Sequence, residues 1–190
     1  MESHAFDNLR YIRETMERAG SFTAVPGWGG VMMGATALAA AGLASHAASP
    51  AQWLTIWMAE AVVALLVGLF SVWHKSNAAS VSLFSAPARK FALSFGPPLL
   101  AGAILTAVLF RMGALGVIPG LWLLLYGVGV IAGGAFSVPI VPVMGGCFLA
   151  AGAALVLLQP TLAAADFWLG ACFGGLHIIF GAIIAKRYGG

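Results

Sequence analysis

Charged side chains are scarce along this chain. Nine basic and six acidic residues make up 8% of its 190 residues, while 61% are hydrophobic. Because soluble domains carry about a quarter charged residues, a chain this apolar cannot cover a water-facing surface. The strict polar–apolar alternation that the strands of a membrane barrel require is missing from the apolar runs. The composition therefore predicts an all-α, polytopic membrane protein.

Cysteine and enzyme signatures are also sparse. Cys147 and Cys172 both fall within apolar runs, so we expect small buried hydrophobic residues there and no disulfide framework. The sequence has no nucleophile elbow, phosphate loop, zinc motif or nucleotide fingerprint. We accordingly expect no enzyme activity, no cofactor and no metal; a metal or haem site stays a weak alternative, because the histidines and cysteines lie at different depths.

Six apolar stretches alternate with turn-rich breaks and predict six transmembrane helices, at 27–46, 53–73, 96–113, 118–134, 140–158 and 166–185. They group into three hairpins, with a loop between the first two. The predicted organisation is an amphipathic helix within 1–24, hairpin 1 at 25–75, a cytoplasmic or interfacial loop at 76–95, hairpin 2 at 96–135, and hairpin 3 with a short tail at 136–190.

Basic residues predict the orientation. With six spans, eight of the nine lie on one side and only Arg111 lies toward the other. The positive-inside rule then places both termini in the cytoplasm, and we expect a multi-pass protein of the plasma (inner) membrane. The isoelectric point near 9.2 is explained by these span-end residues and anionic lipid, so we expect no nucleic-acid partner.

An internal repeat is visible when the hairpins are aligned. A Trp-Leu pair opens the second helix of each, at Trp53, Trp122 and Trp168, and a proline precedes each pair at similar spacing. Three tandem hairpins would form a pseudo-threefold bundle of six helices. The alternative is that glycine, proline and interfacial tryptophan occur at such places in membrane hairpins generally.

The three hydrophobic hairpins, the glycine-rich first helices and the segment Ala64–Phe70 (ALLVGLF) resemble bacterial acid-resistance membrane proteins of the HdeD type. The resemblance covers the hydrophobic part of the chain and implies the hairpin architecture. It implies no roles for individual residues.

The stretch Trp53–Trp73 carries one carboxylate, Glu60, within its apolar run. An ionisable residue inside a span is costly and is by default a hypothesis for a functional site. At about 1.5 Å per residue, Glu60, Arg111 and His177 all lie roughly 10–13 Å below the outer surface and could share one layer. Asp166 lies at the outer mouth, and Tyr126 lies about one turn below Trp122.

Repeat alignment matches Glu60 with Gly129 and Gly175, which would leave room in the same layer for water, for a ligand or simply for close helix contact. We therefore predict a pathway for a small solute, an ion or protons, a channel or transporter, with Glu60 titrating, His177 as its partner and Arg111 controlling the charge. One alternative is a Glu60–Arg111 pair that only fixes helix packing, with His177 bonded to a backbone carbonyl. Another is a non-catalytic scaffold, stress-related protein or regulatory subunit that docks through residues 3–20 and 76–90.

The expected partners are membrane lipids, a small solute or protons, and a second copy of the chain. Pairs of glycines four residues apart would allow close contact between helices of one bundle or of two copies; they are Gly30/Gly34, Gly116/Gly120, Gly129/Gly133 and Gly170/Gly174.

Overall fold

A computed structural model describes residues 22–78, 82–158 and 161–189. Within these ranges, six helical spans are long and apolar enough to cross a membrane, which confirms the prediction of a helical, multi-pass chain at that level. The predicted amphipathic helix falls mostly on residues 1–21, outside the described residues. The helices are α1 Gly27–Ala44, α2 Pro50–Ala78, α3 Ala86–Arg111, α4 Ile118–Gly134, α5 Ile140–Leu158, α6 Leu162–Leu169 and α7 His177–Tyr188. A π-helical segment, Gly170–Leu176, joins α6 to α7, and the three together form the sixth span.

Helix α3 begins ten residues before its predicted start at residue 96, so helix occupies much of the segment 76–95 that was predicted as a loop. The hydroxyl of Ser85 caps the helix by accepting a hydrogen bond from the backbone N–H of Ala88, and Pro87 lies in the first turn. Pro97 and Pro98 lie inside α3. The predicted start at residue 96 would have placed the pair in the first turn, where a missing N–H costs little. That start was wrong because the capping signal lies at Ser85.

Glycine sets the closest helix contacts. A Cβ atom added at Gly127 on α4 would lie 2.6 Å from the backbone nitrogen of Leu149 on α5, and one at Gly152 would lie 2.5 Å from that of Leu124. On the other side of the bundle, a Cβ at Gly34 on α1 would lie 2.6 Å from the carbonyl oxygen of Gly174. Helix backbones therefore touch in two pairs, α4 with α5 and α1 with the sixth span.

Helices α2 and α3 lie outside these two pairs. The main contacts of α2 are with α1, and those of α3 are with α4. Their other faces expose large apolar side chains such as Leu66, Phe70 and Leu100, as lipid-facing helices do.

The first two predicted hairpins are thus packed pairs, but α5 touches the sixth span over only a small area. The strongest contacts join α4 to α5 and α1 to the sixth span, which is not the pattern of three equivalent hairpins. The pseudo-threefold repeat stays a prediction.

Polar contacts hold the ends of the helices at the predicted cytoplasmic side. The backbone N–H of Phe22 donates to the carbonyl of Phe136 at 2.6 Å, and the hydroxyl of Ser137 donates to the carbonyl of Phe22 at 2.8 Å. The Lys75 ammonium donates to the carbonyl oxygens of Val25, at 2.8 Å, and of Tyr188, at 3.1 Å. The start of α1, the end of α2 and the end of α7 are fastened together in this way.

The glycine contacts predict a sharp difference between two neighbouring positions on α5. A Cβ at Gly145 would lie 2.8 Å from the backbone nitrogen of Ile131, so Gly145→Ala should cost about 1–3 kcal/mol by overpacking. Gly146→Ala is the matched control, because nothing lies within 4 Å of its added Cβ and alanine is the better helix former. The measurement is unfolding of the two variants in detergent. Equal stability would contradict the close approach of α4 and α5.

Candidate functional site

A cleft of about 220 Å³ opens at the predicted outer end of the bundle, between the α1–α2 loop and the start of the sixth span. Its walls are mainly small residues, together with one tryptophan and one carboxylate. The lining residues are Ala44, Ser45, Ala47, Ala48, Ser49, Pro50, Trp53, Leu162 and Asp166.

Asp166 is the carboxylate that lines this cleft. Its side chain is only 4% exposed, and its Oδ1 atom accepts hydrogen bonds from the indole N–H groups of Trp53, at 2.7 Å, and Trp57, at 3.0 Å. The two tryptophans are four residues apart on α2, so one helical face presents both donors to the same oxygen. An ionised carboxylate only accepts hydrogen bonds and indole only donates, so the three groups are chemically matched.

A tryptophan stack continues from Asp166 toward the middle of the bundle. The rings of Trp53 and Trp122 are parallel within 2°, with centroids 5.6 Å apart. The Trp122 N–H donates to the Thr106 hydroxyl on α3 at 2.7 Å, and that hydroxyl donates to the carbonyl of Gly102 at 2.7 Å. Four helices, α2, α3, α4 and α6, are connected by this network.

One turn along α4 from Trp122, Tyr126 pairs with His177. The phenol oxygen lies 2.6 Å from His177 Nε2, and His177 Nδ1 lies 2.8 Å from the carbonyl oxygen of Phe173. Because a carbonyl only accepts, Nδ1 carries the proton, and Nε2 of the neutral ring accepts from the tyrosine hydroxyl. His177 is 5% exposed, and the rings of Phe148 and Phe173 surround the pair with centroids 4.7 and 5.2 Å from that of Tyr126.

The π-helical segment ends immediately before His177. It contains Gly170, Gly174 and Gly175, and the first two pack against α1. Short π-helical turns are rare and occur frequently at functional sites. Here the irregular turn provides the carbonyl of Phe173 that holds the histidine ring.

An aromatic series closes the other side of the Tyr126–His177 pair. Phe95 packs edge-on against Tyr126 at 5.9 Å, Phe91 lies 5.7 Å from Phe95, and Phe22 lies 5.3 Å from Phe91. This series, Phe22–Phe91–Phe95, runs to the predicted cytoplasmic end. Apolar rings therefore separate the Tyr126–His177 pair from the predicted cytoplasmic end, and the cleft lined by Asp166 lies at the predicted outer end.

Glu60 lies elsewhere, at the interface of α1 and α2. Its Oε1 atom is 2.9 Å from the Thr36 hydroxyl, which is also 2.9 Å from the carbonyl oxygen of Met33. A hydroxyl has one proton and can accept as well as donate, so an ionised Glu60 can accept from Thr36. A neutral Glu60 can donate to Thr36 while Thr36 donates to Met33. Helix α1 has no ionisable side chain to compensate the charge.

The predicted cluster of Glu60, Arg111 and His177 is not assembled in the described residues. Glu60 bonds to Thr36, His177 bonds to Tyr126 and Phe173, and Arg111 is exposed at the end of α3. The alternative of a packing pair between Glu60 and Arg111 is likewise not seen, although the bond from His177 to a backbone carbonyl, which accompanied it, is present.

The two glycines matched to Glu60 have different surroundings. A Cβ at Gly129 would lie 3.2 Å from the carbonyl oxygen of Phe95, so α3 fills that position, whereas nothing lies within 4 Å of a Cβ at Gly175. We call the series Asp166, Trp53, Trp122, Tyr126 and His177 the column. Asp166, Tyr126 and His177 are the predicted site residues that lie along it.

Several residues that contact the column were missed by the sequence interpretation, notably Trp57, Thr106, Phe148 and Phe173. Sequence spacing could have identified two of them. Trp57 lies four residues from Trp53, and Phe173 lies four residues from His177, so each shares a helical face with its partner. For Phe148 and Thr106 no local pattern distinguishes the residue from other apolar or small positions.

Among the described residues, no group of three or more histidine, cysteine, aspartate or glutamate side chains is placed to hold a metal ion. Comparison with known proteins gives no match to any family model, curated protein or solved structure.

The Tyr126–His177 pair predicts a specific effect of Tyr126→Phe. Removing the hydroxyl leaves a buried ring nitrogen without its donor, which should cost about 1–3 kcal/mol of stability. The ¹⁵N resonance of His177 Nε2 should shift while Nδ1 stays protonated. Tyr188→Phe is the control, because Tyr188 is exposed at the end of α7. If both variants were as stable as the parent and the Nε2 resonance did not move, the hydrogen bond would not exist.

Proposed function

We propose that this integral membrane protein forms a gated pathway for a small solute, an ion or protons, and that the pathway begins at the outer cleft. The observation that carries the proposal is a series of polar side chains inside an otherwise apolar bundle: Asp166 bonds to Trp53, Trp53 stacks on Trp122, and one turn along α4 from Trp122, Tyr126 bonds to His177. Polar groups inside a membrane are costly to maintain, and they commonly mark pathways for substrates and protons.

The aromatic series Phe22–Phe91–Phe95 supports gating. These rings pack between the Tyr126–His177 pair and the inner end, whereas the cleft at Asp166 lies at the outer end. We infer that the pathway is entered from the outside and is closed on the inside. A transporter or a gated channel in a closed state has this asymmetry, whereas a permanently open pore does not.

The orientation is part of the proposal. With both termini in the cytoplasm of the plasma (inner) membrane, Lys75, Arg89, Lys90, Lys186 and Arg187 lie on the inner side and the cleft opens outward. A cation–π contact of Lys90 with Phe136, at 5.8 Å, then lies near the inner surface with the other basic residues.

We further propose that Glu60 makes the pathway respond to pH. Thr36 can form a hydrogen bond with Glu60 whether the carboxyl group is ionised or neutral. Protonation of Glu60 would therefore change the charge at the α1–α2 interface without breaking this hydrogen bond. Arg111 would act only through its charge at the outer end of α3.

The alternative function is a scaffold or regulatory subunit. The observation that favours it is Phe84, which is 89% exposed in the segment before α3, on the side predicted to be cytoplasmic. A large apolar side chain there could dock a partner protein or insert into the lipid interface.

Flux into proteoliposomes separates these functions. Light scattering would follow small solutes, and a trapped dye would follow protons. A pathway predicts that Asp166→Asn lowers flux at least tenfold at every pH. Glu60→Gln should retain flux, but the difference in flux between neutral and acidic pH should disappear.

Cys172 is buried as expected, but Cys147 was expected to be buried and is exposed on α5. Cys147→Ser is therefore the control and should behave like the parent. If no flux above that of empty liposomes were found for protons or any solute tried, the pathway would be rejected in favour of the scaffold.

A further inference from the structure

We propose that the outer cleft binds a small organic monocation, an alkylammonium or quaternary ammonium group, with Asp166 as its counter-ion and Trp53 as its aromatic contact. The inference rests on the proposed pathway, because it names the chemical class that would enter it. It comes from three properties of the cleft, namely its charge, its aromatic wall and its size.

The cleft is lined by one acidic side chain, that of Asp166. Only two of the six acidic residues lie beyond residue 20, Glu60 and Asp166, and only Asp166 lines the cleft. Both indole donors bond to Oδ1, and no described residue donates a hydrogen bond to Oδ2. A carboxylate has about four acceptor sites, so Asp166 keeps acceptor capacity. Asp166 is buried, and a cation in the cleft would offset the cost of a charge there.

The aromatic wall is provided by Trp53. One face of its indole is covered by Trp122, and the residue also lines the cleft next to Asp166. Tryptophan is the best aromatic side chain for binding a cation, and quaternary ammonium groups are typical ligands of such rings. The two hydrogen bonds to Asp166 hold the carboxylate and the ring of Trp53 in a fixed relation before any ligand arrives.

The size and the remaining walls favour an organic cation over a bare metal ion. A volume of 220 Å³ is smaller than the pockets of drug-sized ligands and is about seven times the volume per molecule in liquid water. Ala44, Ala47, Ala48 and Pro50 offer apolar contacts suited to methyl and methylene groups. Calcium takes six to eight oxygen ligands, whereas this cleft offers one carboxylate and two serines, Ser45 and Ser49.

The competing explanation is structural: Asp166 would serve only to join α2 to the sixth span through Trp53 and Trp57. It predicts that Asp166→Asn lowers stability and that the cleft has no preference for cations. Binding of a cation and of its neutral analogue therefore separates the two explanations.

The test is calorimetric titration of the full chain in lipid nanodiscs. The probes are choline and tetramethylammonium chloride, with 3,3-dimethylbutan-1-ol as the neutral analogue of choline and sodium and calcium chloride as inorganic cations. We expect saturable binding of both ammonium probes, at least tenfold weaker binding of the neutral analogue and the inorganic ions, and at least tenfold loss in Asp166→Asn.

Two further variants keep the test valid if Asp166→Asn does not fold. Ala48→Leu fills the cleft with apolar bulk at an exposed position and should also abolish binding. Because it leaves the Asp166 hydrogen bonds intact, we expect this variant to fold. Thr55→Val is the matched control on α2, since Thr55 is exposed and its hydroxyl donates only to the carbonyl of Ala51 in its own helix. Its affinity should equal that of the parent.

Absence of saturable ammonium binding, equal binding of the neutral analogue, or unchanged affinity in Ala48→Leu would each overturn the inference. Binding is measured without flux, so the two proposals can fail separately. Ammonium binding without flux would support the cleft and reject the pathway, whereas proton or solute flux without ammonium binding would reject the ligand class and leave the pathway standing.

Discussion

Direct contact between helix backbones at glycine is the constraint on which the rest of this structure depends. At Gly127, Gly145 and Gly152 the backbones of α4 and α5 leave no room for a Cβ atom, and Gly34 and Gly174 do the same for α1 and the sixth span. Two tightly packed pairs leave no space for polar side chains or water between their own members. The polar groups of the interior are collected instead where the pairs meet, in the column from Asp166 to His177.

The column is stable because nearly every donor in it has an acceptor. The indoles of Trp53 and Trp57 bond to Asp166, that of Trp122 bonds to Thr106, and the hydroxyl of Tyr126 bonds to His177. Within a bilayer an unpaired polar group costs several kcal/mol, so such pairs fix helix positions as strongly as apolar packing does. The second oxygen of Asp166 has no donor among the described residues, and Asp166 lines the cleft. A group that enters there would complete the network.

Depth within the membrane could be predicted from the sequence, but rotation about the helix axis could not. The rise per residue predicts Asp166 at the outer mouth and Tyr126 one turn below Trp122; in the structure Asp166 lines the cleft, and Trp122 and Tyr126 lie one turn apart on α4. It also placed Glu60, Arg111 and His177 in one layer, yet Glu60 bonds to Thr36 on α1 and His177 bonds to Tyr126 on α4. Which helices are neighbours depends on the glycine contacts between segments distant in sequence, and no local pattern encodes that order. The early start of α3 was missed for a different reason, since a proline pair inside a helix looks locally like a helix start.

The central claim is that the cleft at Asp166 is the outer entrance of a pathway, and a cysteine at Ala44 tests it most directly. Ala44 lines the cleft but is only 3% exposed, so a reagent reaches it only through the entrance. The substitution would be made in a chain carrying Cys147→Ser and Cys172→Ala, and a membrane-impermeant thiol reagent would be added to one side at a time. The proposed pathway predicts that the reagent blocks flux from the outside only, and that tetramethylammonium slows the block. A cysteine that reacts from the cytoplasmic side, or reacts from the outside with no effect on flux, would contradict it.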